Sequence, residues 1–385
     1  MATDNKNKVL NVPNLRFPEF KEAWKDSNIG KCFDLYSGNT PSRMEKEHFI
    51  GDVNWITSGE LKEHYIGDTK ERISEKAAAD NNLRILPVGT FVMAIYGLEA
   101  EGVRGTCSIT VKTSTISQAC MAFTPKSNVS NEFLYSWYKK HGNKIGIRYA
   151  QGTKQQNLSY DIIEKFPIRY PSIEEQEKLN TFISLLDSRI ATQNKIIEQL
   201  QSLIKGIYDK TFANFSKYQT LSAICKIQKG QQINGEELSE FGEYYVMNGG
   251  IEPSGYYDKY NTMPNTISIS EGGNSCGYIQ FNTVPFWSGG HCYTLQGIST
   301  EYNTHFVYHY LKSKEKEIMS LRIGSGLPNI QKKDLEKFPI PELSLEIQIR
   351  ISDGINKIET KLKQEKNMLS AYQTQKAYLL RNLFI

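Results

Sequence analysis

Two histidines stand four residues apart in the stretch "THFVYHYLKSKEKEI", which begins at Thr304. On a helix that spacing places His305 and His309 on one face, where they could ligate a metal ion. Phe306, however, occupies the position at which zinc proteases carry a catalytic glutamate, and no third ligand is evident. We therefore expect two histidines on a helix surface and no metal site.

Other catalytic motifs are absent from the sequence. It contains no G-x-x-x-x-G-K-[ST] phosphate loop and no G-x-G-x-x-G after a strand. The N-P-P-[YF] signature of adenine amino-methyltransferases is missing as well. The stretch "PEFK" (18–21) resembles a nuclease P-D…E-x-K pattern only weakly. These observations favour a binding protein over an enzyme.

The composition is that of a multidomain globular protein. The 385 residues are 39% hydrophobic and 11% aromatic, which is enough for two or three domains with real cores. No apolar run is as long as a membrane span, and the first residues do not resemble a secretory signal, so we expect a cytoplasmic protein. The six cysteines form no C-x-x-C pair, which favours reduced thiols over disulfides. The net charge of +4 is weak support for nucleic-acid binding, so any polyanion must be held by local patches or with help from a partner.

The sequence contains a long internal repeat. "IEKFPIRYPSIEEQ" (163–176) and "LEKFPIPELSLEIQ" (335–348) are near copies, 172 positions apart. At the same offset Asn157 matches Asn329, and within the two copies Ser172 matches Ser344, Glu174 matches Glu346, and Gln176 matches Gln348. A unit of about 170 residues is too long for a solenoid repeat and predicts two tandem domains.

Each repeat begins with a mixed α/β pattern. In the first, short β-rich runs separated by glycine turns precede "NEFLYSWYKKHG" (131–142), which predicts a helix that ends at Gly142. In the second, similar runs precede the helical stretch 304–318. Both repeats close with a loop of small residues, "QGTKQQNLS" (151–159) and "IGSGLPNIQ" (323–331).

A long amphipathic helix follows each mixed region. Apolar residues recur at alternating steps of four and three, which predicts a coiled-coil seam made of Leu179, Ile183, Leu186, Ile190, Ile197, Leu200, Ile204 and Ile207, and of Ile351, Ile355, Ile358, Leu362, Leu369, Tyr372 and Leu379. Gln193 and Glu365 interrupt the two seams at matching positions. This pair either fixes the register of the helices or marks a solvated patch where they splay. Ser172 and Glu175 fit a capping box for the first helix.

The seams predict how the two halves assemble. A helix of about 37 residues is roughly 55 Å long, and its apolar stripe must be buried against a partner. Its own repeat, packed antiparallel, is the simplest partner. The expected fold class is therefore α+β, with two tandem mixed α/β domains separated by a long antiparallel two-helix coiled coil. The expected boundaries are 1–25 for an N-terminal arm, 26–170 and 215–342 for the domains, and 171–214 and 343–385 for the spacer helices.

This arrangement resembles the specificity subunit of Type I restriction–modification enzymes, the HsdS family. The resemblance is carried by "NVPNLRFPEFKEAWK" (11–25), by "YSGNTPSR" (36–43) followed by "VNWITSGEL" (53–61), and by the repeated passage into each long helix. The second repeat has "KGQQING" (229–235) in place of T-P-S, so residue roles transfer poorly there.

The resemblance implies a function and a set of partners. Each mixed domain would be a target recognition domain that reads one half of a split double-stranded DNA site. The helices would set the spacing and dock two modification (methyltransferase) subunits. S-adenosylmethionine would belong to those subunits, and ATP and Mg to partner restriction subunits. The chain itself would need no cofactor and catalyse nothing, and it would assist the extrusion of the target adenine.

Candidate DNA contacts follow from the chemistry of base edges and phosphates. Arg and Lys suit guanine, Asn and Gln suit adenine, and hydroxyls suit phosphates. In the first domain we predict contacts from Thr40, Ser42, Arg43, Ser58, Lys62, Tyr96, Arg104, Ser117, Gln118, Lys154, Gln155 and Gln156. In the second we predict contacts from Lys229, Gln231, Gln232, Asn248, Tyr256, Asn274, Trp287, Ser288 and Lys332.

Two other functions stay open at this point. A stand-alone regulator could occupy a split DNA site without partners, and its helices should then carry few exposed apolar residues outside the seam. Five apolar residues beside the seam argue for a docked partner instead: Phe182, Leu185, Ile196, Leu203 and Leu380. A coiled-coil scaffold that binds only protein would have no salt-dependent affinity for duplex DNA.

Overall fold

The computed structural model describes residues 11–100, 102–152, 156–324 and 328–385. The chain forms two compact units. Unit 1 combines Met1–Thr192 with Leu369–Ile385, and unit 2 is Gln193–Met368. Each long helix therefore contributes one part to each unit. No helix in the described ranges is long and apolar enough to cross a membrane.

Unit 1 is built from short strands and a few helices. Its strands are β1 (Lys25–Asn28), β2 (Phe33–Ser37), β3 (Val53–Ile56), β4 (Tyr65–Ile66), β5 (Arg72–Ile73), β6 (Phe91–Ala94), β7 (Cys107–Thr110), β8 (Ser114–Ile116), β9 (Cys120–Pro125) and β10 (Pro167–Tyr170). Its helices are α1 (Ile29–Cys32), α2 (Glu75–Asp80), α3 (Asn131–Tyr149), α4 (Tyr160–Glu164) and the first part of α5 (Ile173–Thr211).

The core of unit 1 lies between a sheet and helix α3. The main sheet has the order β2-β9-β6-β7-β4, and a smaller sheet has the order β5-β3-β8, with β3 and β8 parallel. Every residue of β6 is buried, which explains its uninterrupted apolar sequence. Phe91 meets Phe123 at 5.1 Å and Tyr138 of α3 at 5.8 Å, in edge-to-face arrangements.

Unit 2 repeats this order of elements. Its strands are β11 (Tyr218–Thr220), β12 (Lys226–Lys229), β13 (Tyr244–Met247), β14 (Tyr256–Tyr257), β15 (Thr266–Ser270), β16 (Ile279–Asn282), β17 (Trp287–Ser288), β18 (Cys292–Gln296) and β19 (Pro339–Pro341). Its helices are α6 (Leu221–Ile224), α7 (Thr304–Ser313), α8 (Glu315–Ser320), α9 (Lys332–Glu336) and most of α10 (Leu345–Leu383).

The sheets of unit 2 have the topology of those in unit 1. The order β12-β18-β15-β16 corresponds to β2-β9-β6-β7, and the order β14-β13-β17 corresponds to β5-β3-β8. The strands β13 and β17 are parallel, as are β3 and β8. The repeat seen in the sequence is therefore a repeat of fold, with two mixed α/β domains and two long helices as predicted.

Two predicted helix ends are wrong. Helix α3 passes through Gly142 and ends at Tyr149. A Cβ at Gly142 would lie 2.7 Å from the ring of Tyr138, so the glycine makes room for a buried side chain and does not end the helix. In unit 2 the predicted single helix over 304–318 is divided at Lys314 into α7 and α8.

The long helices pack antiparallel in both units. In unit 1, Leu179 and Ile183 share a core with Leu379 and Phe384, and Asp187 is bonded to Lys376. In unit 2, the end of α5 and the start of α10 share a core, in which Ile207 and Phe212 lie with Ile351 and Ile355. Of the predicted seam residues, five are buried and the others are half-buried; the buried ones are Leu179, Ile183, Leu186, Ile197 and Ile355.

The polar interruption of the seam is buried. In unit 2, the side-chain amide of Gln193 donates to the carboxylate of Glu365 and to its backbone oxygen, at 3.1 Å from the latter. The solvated-patch alternative is therefore wrong. A buried polar pair restricts the registers in which two helices can pack, because a shift leaves the buried Gln193 amide without its partner.

The predicted capping box forms only in part. The backbone N–H of Glu175 points at the Ser172 hydroxyl at 3.4 Å. The Glu175 carboxylate instead accepts two hydrogen bonds from Arg16, at 2.8 and 2.7 Å, and one from the Trp24 indole, at 3.3 Å. Glu175 thus ties the segment before β1 to the long helix, because its two oxygens are taken by a guanidinium.

Candidate nucleic-acid interface

Loops from both sheets of unit 1 meet at one edge of the domain. The segment after β2 crosses the segment between β8 and β9, where Gly38 N–H donates to Cys120 O at 3.4 Å. Next to it, Asn39 N–H donates to Ile116 O at 3.3 Å. The chain after β6 joins the same place, because Ile95 N–H donates to Ala119 O at 2.9 Å.

Unit 2 builds the same edge with the same backbone bonds. Gly230 N–H donates to Cys292 O at 2.8 Å, and Gln231 N–H donates to Ser288 O at 2.8 Å. Glu271 N–H donates to His291 O at 2.9 Å. The acceptors Ser288, His291 and Cys292 each lie 172 positions after their counterparts in unit 1. We call this edge the loop surface of each unit.

A glycine permits the crossing in both loop surfaces. A Cβ at Gly38 would lie 2.0 Å from Ile116 O, and a Cβ at Gly230 would lie 2.2 Å from Gly289 O. Any side chain would therefore force the two backbones apart. The stretches "YSGNTPSR" and "KGQQING", which differ in sequence, share this glycine for the same geometric reason.

The small-residue loop at the end of each domain completes the surface. In unit 1, Gln156 accepts from Leu98 N–H through its backbone oxygen at 3.1 Å, and its side-chain oxygen accepts from Arg104 at 2.6 Å. In unit 2, Gly273 N–H donates to Pro328 O at 3.0 Å, which is the matching bond. Each loop surface therefore collects at least four chain segments that are far apart in sequence.

Comparison with known proteins decides the family. Residues 21–202 and 216–370 match the family model described as Type I restriction modification DNA specificity domain. The chain belongs to this family. The two matched stretches cover most of the chain and coincide with the two repeats.

Specificity subunits of this family are similar over the length of the chain or over one half of it. A Type I restriction enzyme specificity subunit of Methanocaldococcus jannaschii is 24% identical over 371 residues, which cover 83% of this chain and 84% of that protein. A putative Type I specificity subunit of Mycoplasma pneumoniae is 32% identical over 176 residues, which cover 45% of this chain and 46% of that protein.

Solved structures share the fold. The crystal structure of a Type I restriction–modification S subunit from Mycoplasma genitalium has a TM-score of 0.69 at 21% identity, and covers 97% of this chain and 99% of that one. A chain from a study of complex assembly in a Type I system has a TM-score of 0.57 at 15% identity, and covers 93% of this chain and 96% of that one.

The predicted contacts of unit 1 lie largely on its loop surface. Ser42, Lys62, Tyr96 and Gln118 are exposed. Half-buried positions are Thr40, Ser58, Arg104 and Gln156, whereas Lys154 and Gln155 lie outside the described residues. As DNA contacts, all of these residues stay predictions.

Arg43 has an ion-pair partner within the specificity subunit. Its guanidinium is bidentate on Glu71, with one bond of 2.8 Å, and it stacks on Phe49 at 4.5 Å. The hydrogen bond from Arg43 lowers the pKa of the Glu71 carboxyl. A DNA phosphate would have to compete with this carboxylate for the arginine.

Most of the predicted contacts of unit 2 are at least partly exposed. Lys229, Gln231, Gln232 and Asn274 are exposed, and Asn248, Tyr256 and Trp287 are half-buried. Lys332 instead lines a cavity with Cys225, Gly297 and Glu336, at the opposite end of β12 and β18 from Lys229. Lys332 is exposed there, and its contact with DNA stays a prediction.

Two predicted contact residues are buried inside the loops. Ser117 is 3% exposed, and its hydroxyl accepts from Ala119 N–H at 3.3 Å. Ser288 is 2% exposed, and its hydroxyl lies 3.5 Å from Cys292 O. Both predictions are wrong as direct contacts, because these serines bond the turn that presents the next residues.

Sequence reasoning missed three residues of the loop surfaces. Asn39, Glu271 and His291 lie at the crossing points described above. The repeat could have indicated His291, because this residue stands 172 positions after Ala119. Each of the two residues directly precedes a cysteine, and the two cysteines are equivalent positions of the repeat.

A glutamine links each domain to its long helix. The fully buried side chain of Gln176 accepts from Ser130 N–H at 3.0 Å and donates to Asn128 O at 2.7 Å. Its repeat equivalent, Gln348, accepts from Asn303 N–H at 2.8 Å and donates to Glu301 O at 3.0 Å.

The partners of these glutamines begin a helix in each domain. Ser130 is the N-cap of α3, and Asn303 is the N-cap of α7. The repeated E-x-Q passage thus fixes the start of the long helix against the first turn of the domain helix. The motif therefore holds each mixed domain in one orientation on its own helix.

The two spaced histidines differ in their surroundings. His309 is fully buried, where its Nδ1 lies 2.9 Å from the Tyr208 hydroxyl and its Nε2 lies 2.8 Å from Asn356 Oδ1. The prediction of two surface histidines is therefore wrong for His309. No group of three His, Cys, Asp or Glu that could hold a metal ion occurs in the described ranges.

Proposed function

We propose that this chain gives a Type I restriction–modification system its DNA sequence specificity, with each loop surface reading one half of a split site. One observation carries the proposal. The two loop surfaces are built by the same three backbone hydrogen bonds, but they present different side chains. A constant framework with variable side chains suits two readers of two different sequences.

The side chains of the loop surfaces have the chemistry of base recognition. Amides and lysines are exposed on both, such as Gln118 and Lys62 in unit 1 and Gln231 and Lys229 in unit 2. Amide groups match the adenine edge and lysine matches guanine. The modest net charge of +4 suggests that most phosphate contacts come from the partner subunits.

Exposed apolar residues on the long helices support docking of partners. Leu185 is 61% exposed, and Phe182, Leu203 and Ile347 are exposed as well. Ile173 and its repeat equivalent Leu345 are both exposed at the first turn of their helices. An apolar face present in both repeats favours two copies of one partner, which we take to be two modification subunits. A stand-alone regulator would gain nothing from these residues.

The chemistry then resides in the partners. The modification subunits would bind S-adenosylmethionine and methylate an adenine extruded from the duplex. Restriction subunits, where present, would use ATP and Mg. This chain would grip DNA on both sides of the target base and catalyse nothing itself.

The test is to find which DNA sequence the complex methylates. The chain is co-expressed with Type I modification subunits, the complex is purified, and methylated adenines are mapped across the host genome. We expect a split motif of two short sequences and an unread gap. A second strain carries the chain with Gly38→Val, which should abolish reading of the first half, because a side chain there separates the crossing backbones. A contiguous motif, or methyl transfer by this chain alone, would refute the proposal.

A further inference from the structure

A buried carboxylate lies within the loop surface of unit 2. Glu271 is 9% exposed, and one of its oxygens, Oε1, accepts from Lys229 Nζ at 2.6 Å and from the Tyr293 hydroxyl at 2.9 Å. The Lys229 side chain is itself 52% exposed. The lysine therefore reaches the surface while its ammonium is held from below.

The sheet register brings these residues together. Lys229 ends β12 and is paired with Tyr293 of β18, which is paired in turn with Ile269 of β15. Glu271 is two positions after Ile269, so its side chain emerges on the same face. Glu271 directly follows β15, and its backbone is held on both sides, because its N–H donates to His291 O at 2.9 Å and its oxygen accepts from Ile330 N–H at 2.9 Å.

The second oxygen of Glu271 is buried without a hydrogen-bond partner among the described residues. Its near neighbour is His291, whose Nδ1 lies 3.6 Å away and whose side chain is 60% exposed. A buried carboxylate oxygen without a partner costs free energy, so it persists where a function uses the group.

Unit 1 has no counterpart of this network. The same register in unit 1 places Ser37, Met121 and Ile95 where unit 2 has Lys229, Tyr293 and Glu271. Ala119 stands where unit 2 has His291. The framework therefore does not require charged groups at these positions, and the network belongs to what unit 2 alone must do.

We propose that Lys229 reads a guanine in the half-site of unit 2, and that Glu271 is the positioning residue that aims it. The inference rests on the function proposed above and adds a residue and a base to it. Lysine donates to guanine O6 and N7, the acceptors in the major groove. A lysine side chain in solution samples many rotamers, and an ion pair to its ammonium restricts it to few of them.

The charge balance favours base reading over phosphate binding. The carboxylate of Glu271 cancels the charge of Lys229, so the pair adds no net attraction for the DNA backbone. A phosphate contact would be served better by an unpaired lysine. The ion pair lowers the affinity of unit 2 for DNA of any sequence, but it leaves a lysine N–H that can donate to one base in a fixed direction.

The experiment uses the full chain in complex with modification subunits, after its split motif has been mapped. Fluorescence anisotropy measures affinity for duplexes in which each base pair of the second half is changed in turn, at several salt concentrations. We expect Lys229→Gln and Glu271→Gln to weaken binding to the intact site about tenfold or more and to erase discrimination at one G·C pair. Discrimination in the first half and the salt slope should not change.

A matched variant separates position from charge. Glu317→Gln removes the same charge from an exposed ion pair with Lys314 on α8, and it should leave discrimination intact. If Glu271→Gln instead tightens binding to all duplexes, the carboxylate acts only through charge. If Lys229→Gln weakens all duplexes alike and lowers the salt slope by about 0.9, the lysine contacts a phosphate.

Either of those results overturns the inference, as does a second half-site without a G·C pair. Failure of the proposed function has a different signature, because the unaltered complex would then recognise no split motif. Retained discrimination at the other base pairs of the second half shows that unit 2 is folded in each variant, so loss confined to one G·C pair cannot come from unfolding.

Discussion

Individual buried polar side chains hold this molecule together at the joints between its elements. Gln176 and Gln348 bond the caps of α3 and α7, and Glu175 receives Arg16 and Trp24. Each of these contacts joins residues that are distant in sequence. The repeated passage before each long helix therefore supplies hydrogen bonds that fix the orientation of the helix against its domain.

His309 should make unit 2 sensitive to acid. Burial lowers its pKa to about 4 from 6.5, and only the hydrogen bond with Asn356 works in the opposite direction. As the pH falls below about 6.5, His309 of the unfolded chain binds a proton, whereas His309 of the folded chain stays neutral. We therefore expect unit 2 to lose about 2 kcal/mol between pH 8 and pH 5 from this residue alone.

The measurement compares the chain with its His309→Gln variant by urea unfolding at the two pH values. Carboxylates that do not contact His309 titrate equally in both, so they cancel in the difference. The gap in unfolding free energy between the two proteins should narrow or reverse at pH 5. An unchanged gap would show that His309 does not titrate in this range.

Helix α3 illustrates how packing overrules propensity at the scale of elements. Gly142 lies inside the helix because Tyr138 occupies the space that a Cβ would need. Gly206 lies inside α5, where an added Cβ would meet nothing within 4 Å. The two glycines are equivalent for intrinsic propensity and opposite for packing.

The same substitution should therefore have opposite effects at these two positions. Gly206→Ala should stabilise the protein by about 0.5–1 kcal/mol, because alanine restricts the unfolded chain and adds no clash. Gly142→Ala should destabilise it by about 1–3 kcal/mol, because the Tyr138 ring must move out of a packed site. Thermal melting of both variants checks this. A shift of the same sign in both would contradict the role assigned to Tyr138.

At the scale of the whole molecule, two long helices run from one unit of the chain into the other. Each unit packs the start of one helix against the end of the other, as with Ile183 and Leu379 in unit 1 and Ile355 and Ile207 in unit 2. Under the proposed function, helix length then sets the gap between the half-sites.

Lengthening both helices should change the gap and nothing else. Four residues inserted in α5 and four in α10, beside Gln193 and Glu365, add about 6 Å of helix, which corresponds to roughly one or two base pairs. Methylation mapping should return both half-sites unchanged, with a longer gap. Insertion in α5 alone is the control. It should abolish methylation by the complex, because the apolar seam of α5 is then shifted relative to that of α10. An altered half-site would contradict the separation of spacing from reading.

The sequence alone determined the repeat, the long helices and the seam between them. The long helices and the seam follow from the spacing of hydrophobic residues, and the repeat follows from a fixed offset between similar stretches. Both can be read along the sequence without knowing how distant segments pack. The strands around β6 and β15 could also be predicted from the sequence, because a short apolar run bounded by glycines rarely forms anything but a buried strand. The family resemblance rested on the same repeated passages.

Only the tertiary structure decided which loop residues meet and which are buried. Ser117 and Ser288 are buried under the chain segment that crosses them. Lys332 lies at the opposite end of β12 from Lys229, and His309 is covered by the long helices. Glu271 became visible only when three strands placed it beneath Lys229. The reason is physical: periodicity reports which side of an element is buried, but contact between distant segments depends on how the elements pack.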